Sequence, residues 1–322
     1  MSARWLVGKA GAALLTLAFV VVFNFFLFRV MGDPTTQLAR LPQSTPEEIE
    51  KLRADYGLDK PLLGQFADYV GDTLRLDLGT SQRTREPVRD EILNALPWTL
   101  LLVGTGTLLA TLIGAWLGVV AATRRGKKTD DGLLGFSLFT YAAPEYWIGI
   151  ILILVFAVAI PIFPAGQQVT PGAEFDSFFA EALDVAEHLV LPATAMTLML
   201  LGQYFMIMRS SMVDVLTEDF ITVKRATGLP WERVVRSHAV PNALLPLVTL
   251  SAIQFGLVAG GAITIETIFS WPGLGELSFN AINDKNFPVL QGTFLVFSAG
   301  VILANLLADC LYFFLDPRVQ SR

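Results

Sequence analysis

Six long, uninterrupted apolar stretches constrain this chain more than any other feature: roughly residues 5–30, 98–122, 133–162, 189–208, 247–269 and 289–315. A helix needs about 20 apolar residues to cross a bilayer. Lipid offers backbone groups no hydrogen-bond partner, so a spanning segment must be a helix or belong to a closed barrel. These runs are continuous rather than alternating, which selects helices. The expectation is an all-α, polytopic membrane protein with six transmembrane helices. Composition agrees, with 53% hydrophobic and 16% charged residues, where soluble domains carry about 25% charged ones. The first run exceeds the roughly 7–15 residues of a signal-peptide core, and no small-residue cleavage site follows it. It is expected to remain as an anchor in the lipid bilayer.

Orientation follows from Lys and Arg in the short connections, which favour the cytoplasmic side. One set holds Arg4, Lys9, Arg124, Arg125, Lys127, Lys128, Arg209, Lys224, Arg225, Arg233, Arg236, Arg318 and Arg322. The connection between spans three and four instead carries Glu174, Asp176, Glu181, Asp184 and Glu187, and that between spans five and six has Lys285 as its one basic residue. Both termini and residues 210–246 are therefore expected in the cytoplasm. The segment 32–97 lies outside; its length exempts it from the charge rule, and its acids outnumber its bases. Thr45-Pro46-Glu47-Glu48 reads as a capping box opening an amphipathic helix that ends at Gly57. A second starts at Pro61 with Leu62, Phe66, Tyr69 and Val70 on one face. These helices serve either as a lid over the spans or as a docking surface. Phe175, Phe178, Phe179 and Leu183, at helical spacing among acids, suggest an interfacial helix before span four.

Several chemistries are excluded. The net charge of −6 argues against nucleic acid. Cys310 is the sole cysteine, so neither a disulfide within the chain nor a thiolate metal site is available. His188 and His238 fall on opposite sides of the membrane and cannot share a metal. Gly126-Lys127-Lys128-Thr129 lacks the upstream glycine of a phosphate loop and has Lys128 where Ser or Thr is required. No cofactor, metal or catalytic residue is expected, and the chain does not read as an enzyme.

The polar segment 218–246 interrupts this apolar pattern. Residues 219–227 can form a short helix, Gly228 supplies its stop, and Pro230 starts another. Trp231, Val234, Val235 and His238 share one side of the second helix, with Arg233 and Arg236 elsewhere; Pro241 and Pro246 are expected to break the chain before span five. The result is a helix–turn–helix knob suited to a groove on another protein.

This segment resembles the EAA-type loop of ATP-binding-cassette importer permeases, with its glycine at Gly228 and its closing Leu-Pro at Leu245-Pro246. The run Glu266-Thr267-Ile268-Phe269-Ser270-Trp271-Pro272-Gly273-Leu274-Gly275 is similar to the signature of the dipeptide, oligopeptide and nickel permease branch. Tyr56-Gly57-Leu58-Asp59-Lys60-Pro61, Leu191-Pro192-Ala193 and Leu315-Asp316-Pro317-Arg318 extend the resemblance over nearly the whole chain. It implies a type I importer permease fold: residues 1–94 as a first span plus an extracytoplasmic region, and 95–316 as the permease core with a coupling loop at 210–246. It implies as partners a second homologous permease, two cytoplasmic ATPases and an extracytoplasmic substrate-binding protein. The implied substrate is a di- or oligopeptide, with nickel chelates and oligosaccharides as alternatives. Glu218, Asp219, Lys224, Arg225, Ala226, Thr227, Gly228, Leu229, Trp231 and Arg233 are the implied ATPase contacts. The chain departs from the family at Lys224, where a small residue is usual, and at Thr227, where Lys is usual. It departs again at Met206, where span four usually has an arginine, and at Glu145, where a small or hydroxyl residue follows the proline.

Carboxylates inside apolar spans are functional candidates by default. Glu266 and Asp309 lie near span ends, where helix–helix hydrogen bonding accounts for them. Glu145, about twelve residues into span three and so about 18 Å along a continuous helix, would lie near the bilayer midplane. It either lines a path for a cationic group or pairs within the bundle. Glu145, Met206 and Glu266 are the pathway candidates. Gly114/Gly118 and Gly256/Gly260 have the spacing that lets helices approach closely. A stand-alone ion-coupled carrier using Glu145, or a membrane scaffold, is the rival reading.

Overall fold

The computed structural model describes residues 3–31 and 60–315, and helices are the only extended elements among them. In chain order they are α1 (Ala3–Met31), α2 (Leu62–Leu74), α3 (Val88–Thr123), α4 (Lys128–Ala142), α5 (Glu145–Ile153), α6 (Phe178–Leu216), α7 (Asp219–Ala226), α8 (Trp231–Val234), α9 (Val240–Gly261), α10 (Ile263–Ile268), α11 (Leu274–Asn283) and α12 (Phe287–Leu315). A π-helical turn, Leu154–Ala159, ends α5, and another, Val235–Ala239, joins α8 to α9. Among the described residues α1, α3, α6 and α12 are each long and apolar enough to cross a membrane, and α4 with α5 makes a fifth span if that bent pair counts as one. The expected capping box at 45–48, the Tyr56–Asp59 part of its motif and the Asp316–Arg318 ending lie outside the described residues.

Three expectations are corrected. The third apolar run is two helices meeting at 101°, because Pro144 disfavours helical backbone at the residue before it and Ala143 is extended (φ −70, ψ 135). Glu145 therefore opens α5 and does not lie 18 Å along one continuous helix. The aromatic residues before span four form no separate interfacial helix: Phe178, Phe179 and Leu183 occupy the first turns of the 39-residue α6, capped by the Ser177 hydroxyl accepting from the Ala180 N–H. Phe175 precedes that helix. Finally, Pro241 and Pro246 do not break the chain. Both lie within α9, with Pro241 directly after the π-helical turn Val235–Ala239, where the α-helical ladder is already interrupted.

The core forms around α3 and α6, the most extensive pairing in the molecule. Gly106, Gly114 and Gly118 line the α3 side. A Cβ on Gly106 would stand 2.7 Å from Met196 Cγ, and one on Gly114 or Gly118 would stand 2.7 Å from the Cβ of Tyr204 or Met208. Lipid offers no hydrophobic drive for helices to associate, so close backbone approach through small residues carries such contacts. Gly114 and Gly118 thus serve packing inside the chain; the surroundings of Gly256 and Gly260 lie outside the described residues. Met196, Tyr204, Phe205, Met208 and Met212 fill the facing side of α6.

Polar links fasten the remaining helices. Arg209 on α6 grips Asp130 on α4 through Nε–Oδ1 (2.6 Å) and Nη2–Oδ2 (2.8 Å), and Asp130 also accepts from the Gly126 N–H. Lys9 on α1 pairs with Asp309 on α12 at 2.7 Å, which supplies Asp309 with a structural partner. Buried Asn24 donates to the Tyr69 hydroxyl and the Gln291 carbonyl, while Phe66 and Tyr69 of α2 pack on Phe25. Leu62, expected on that packed face, is instead 47% exposed.

Two substitutions test this frame. Gly114→Val forces a side chain into Tyr204 and should destabilise the protein by about 1–3 kcal/mol, the usual range for overpacking. Asp130→Ala removes the partner of the part-buried Arg209 guanidinium and should cost about 1–3 kcal/mol, the scale of a lost hydrogen bond to a charged group. Thermal unfolding of the detergent-purified protein measures both.

Candidate coupling knob and signature loop

The knob is built as a turn between two helices. α7 ends at Ala226, and Thr227 closes it, its N–H bonding the Val223 carbonyl and its hydroxyl the Lys224 carbonyl. Gly228 then turns with φ +83, a left-handed conformation costing an L-residue about 1–2 kcal/mol. Pro230 caps α8, its carbonyl accepting from the Arg233 and Val234 N–H groups. On the inner side Ile221, Val234, Val235 and Ala239 are buried in the same core as Met212 of α6. On the outer side Glu218, Asp219, Arg225, Ala226, Thr227, Gly228, Trp231 and Arg233 are exposed, and Lys224 and Leu229 are half-buried. The Arg225 guanidinium lies 5.3 Å from the Trp231 ring centre, a cation–π contact that ties α7 to α8. The ten candidate contact residues thus fall on one compact protrusion. From Trp231 to Gly261 the chain is helical throughout, so the knob and the apolar helix α9 share one rod.

The signature loop is organised by a carboxylate. Glu266 is fully buried. It accepts from the Thr99 hydroxyl (2.7 Å) and from the Gly275 (2.6 Å) and Glu276 (3.1 Å) N–H groups, which are free amides at the start of α11. Glu266 therefore caps α11 from another helix, supplying the acceptor that a helix N-terminus needs. Thr99 completes the network by accepting from the Leu274 N–H at 2.7 Å. Trp271 is pinned through its indole N–H to the Trp98 carbonyl (2.9 Å) and packs edge-on against the Trp98 ring. A Cβ on Gly273 would collide with the Glu266 carboxylate, and one on Gly275 would stand 2.6 Å from Ile263 Cα, so neither position admits a side chain without a shift. Thr99 and Trp98 went unnoticed in the sequence. A threonine and a tryptophan in an apolar helix carry no signal until their partners, over 160 residues away, are known.

The pathway candidates are not brought together. Glu266 faces hydrogen-bond donors, whereas half-buried Glu145 has no hydrogen-bonding or ionic partner among the described residues. α5 meets α10 through Gly149, against Ile268 and Phe269. Met206 sits half-buried on α6.

Apolar helices packed through glycines, several of them long and apolar enough to cross a bilayer, define an integral membrane protein. The chain belongs to the family of binding-protein-dependent transport system inner membrane components, whose sequence pattern matches residues 94–321, and the N-terminal pattern of such membrane components matches residues 2–103. It is a permease subunit of an ATP-binding-cassette transport system. It is 36% identical to a di/tripeptide transport system permease protein of Pseudomonas aeruginosa, over 98% of each chain. It is 35% identical to a dipeptide transport system permease protein of Escherichia coli over 99% of each chain, and to an oligopeptide transport system permease protein of Bacillus subtilis over 94% of each.

Removing the Glu266 side chain should leave the Thr99 hydroxyl hydrogen and two helix-terminal amides without an acceptor, at about 1–3 kcal/mol for each buried group. Glu266→Ala is therefore expected to lower the midpoint of thermal unfolding strongly. Glu266→Gln keeps an acceptor for the amides and should fall between Ala and the parent protein.

Proposed function

We propose that this chain forms one half of the translocation pathway of a peptide importer and receives its driving force through the knob around Gly228. The single observation that carries this reading is the unbroken helical rod from Trp231 to Gly261. A knob seated in a cleft of a cytoplasmic ATPase would move with it, and the rod would carry that motion into the membrane. The peptide substrate is supported by the relatives described above, each of them a transport permease for peptides. With α9 and α10 counted as a further span, the fold has six, and the Lys and Arg distribution supports cytoplasmic termini and a cytoplasmic knob. The partners are two ATPases, a second homologous permease and an extracytoplasmic binding protein; nucleic acid has no role.

Within this reading the pathway candidates separate. Glu266 is a positioning residue, because its carboxylate is consumed in holding the signature loop. Glu145, at the free N-terminus of α5 and beside the bend at Pro144, meets a cationic group of the passing substrate, and Met206 offers an apolar contact to it. A carrier working alone with Glu145 as its proton site has no comparable support, since the family is one of binding-protein-dependent transport system components.

Gly228→Asp adds a charged side chain at a left-handed turn (φ +83) where, its chain neighbours aside, nothing lies within 4 Å of the new Cβ. It is expected to abolish ATP-driven uptake and co-purification of the ATPase while membrane insertion persists. Retained uptake would refute the role of the knob. Glu145→Gln is expected to slow uptake of peptides with a free amino terminus more than that of N-acetylated ones. Equal uptake of both, unchanged from the parent protein, would remove Glu145 from the pathway.

A further inference from the structure

The rod meets the α3–α6 seam through a polar junction set inside the apolar core. Ala243 and Leu247 of α9 are fully buried in the cluster that also holds Leu102, Ala110 and Tyr204. One turn further along the same face, where another apolar side chain would continue the packing, stands Ser251. Its hydroxyl lies 3.1 Å from the Thr111 hydroxyl of α3. Thr111 falls near the middle of the apolar run 98–122, far from water on either side.

A third hydroxyl reaches the same place. α3 and α6 run parallel, since Met196, Tyr204 and Met208 lie on Gly106, Gly114 and Gly118 in that order. Side chains on a helix lean toward its N-terminus. The Tyr204 ring therefore runs back from Gly114 toward Thr111, about 4.5 Å earlier along the axis at 1.5 Å per residue. Its fully buried hydroxyl lies beside those of Thr111 and Ser251, yet in bonding geometry with neither and with no other partner among the described residues. A buried hydroxyl left unpaired is costly and calls for a reason.

Its neighbours already have acceptors of their own. Thr111 donates to the Thr107 carbonyl at 2.7 Å and Ser251 to the Leu247 carbonyl at 2.9 Å. Each acceptor lies four residues back on the same helix and stays available however the helices move. The contact between the two hydroxyls requires one of those hydrogens to be shared. Tyr204 holds a hydrogen free to donate, and the Thr111 oxygen has a lone pair to accept it. Two arrangements therefore compete: Ser251 on Thr111 with Tyr204 unpaired, or Tyr204 on Thr111 with Ser251 turned wholly to Leu247.

We propose that Thr111, Ser251 and Tyr204 are positioning residues for the coupling motion. Ser251 holds the rod against α3 in this conformation, and Tyr204 takes over Thr111 when the rod shifts. The proposal rests on the reading of the rod given above. Hydroxyls with fallback acceptors suit a contact that must break in every transport cycle. Interlocked apolar side chains resist sliding, and an ion pair would leave charges stranded at the depth of the hydrocarbon.

The test reads the position of the rod directly. Spin labels are placed on Arg124→Cys, at the cytoplasmic end of α3, and on Arg236→Cys, on the exposed side of the rod, with Cys310→Ala removing the native thiol. Pulsed electron resonance measures their separation in the full-length protein, held in nanodiscs with the subunits that accompany it. Two separations are expected, the one that matches this structure being the more populated. Ser251→Ala should lower the ratio of that population to the other about threefold, the shift that an interhelical hydrogen bond of average strength brings in a membrane. Tyr204→Phe should raise the ratio by a similar factor and leave the midpoint of thermal unfolding unchanged or higher, since no bond is lost. Thr111→Ser keeps the hydroxyl and should match the parent protein. Four results would each overturn the proposal: a single separation in every variant, shifts of the same sign for Ser251→Ala and Tyr204→Phe, a lower thermal midpoint for Tyr204→Phe, or a ratio in Thr111→Ser unlike the parent's. The importer reading stands or falls separately, on uptake and ATPase co-purification, so the two failures are distinguishable.

Discussion

The rest of the molecule hangs on the contact between α3 and α6. Inside a bilayer no water is released when two helices meet, so contact area must come from shape. Three glycines on α3 let the backbones approach until Met196, Tyr204 and Met208 lie directly on them. That seam provides a fixed reference for everything attached to it. α6 carries Arg209 and so holds α4 through Asp130. It continues past Met212 to the base of the knob. α3 carries Thr99 and Trp98, the receptors for the signature loop.

Polar groups in this apolar setting act as fasteners at defined depths. Glu266 shows the economy of the arrangement: one carboxylate closes the start of α11, fixes Thr99 and dictates glycine at position 273. The knob obeys a different rule. Its inner face is apolar and anchored, while its outer face is charged, aromatic and exposed, as expected of a part that must be rigid on one side and free for a partner on the other.

Much of this was legible from local pattern. Long apolar runs specify spanning helices because hydrocarbon leaves the backbone no alternative, and Gly228 with Pro230 two residues later marks a helix stop and restart because of backbone stereochemistry. The expectations that failed depended on how the chain continues beyond a local signal. Pro144 bends its helix by about a right angle, whereas Pro241 and Pro246 do not interrupt theirs. Pro144 stands beside an extended Ala143 and ends its helix there, while Pro241 follows a π-helical turn and Pro246 lies inside α9, so both continue a helix already under way. Aromatic spacing before span four was correctly helical, yet nothing local said that the helix would continue for 39 residues.

By itself, then, the sequence determined that the chain is helical, where its helices approximately lie, which end of each connection carries positive charge, and that a turn with positive φ must stand at Gly228. These are consequences of backbone chemistry, hydropathy and short-range sterics, which act over a few residues. The tertiary structure alone decided that Glu266 is a cap rather than a free charge, that Gly114 and Gly118 face α6, and that Trp271 is pinned to Trp98. Each depends on a partner distant in the chain, and only folding brings that partner within reach.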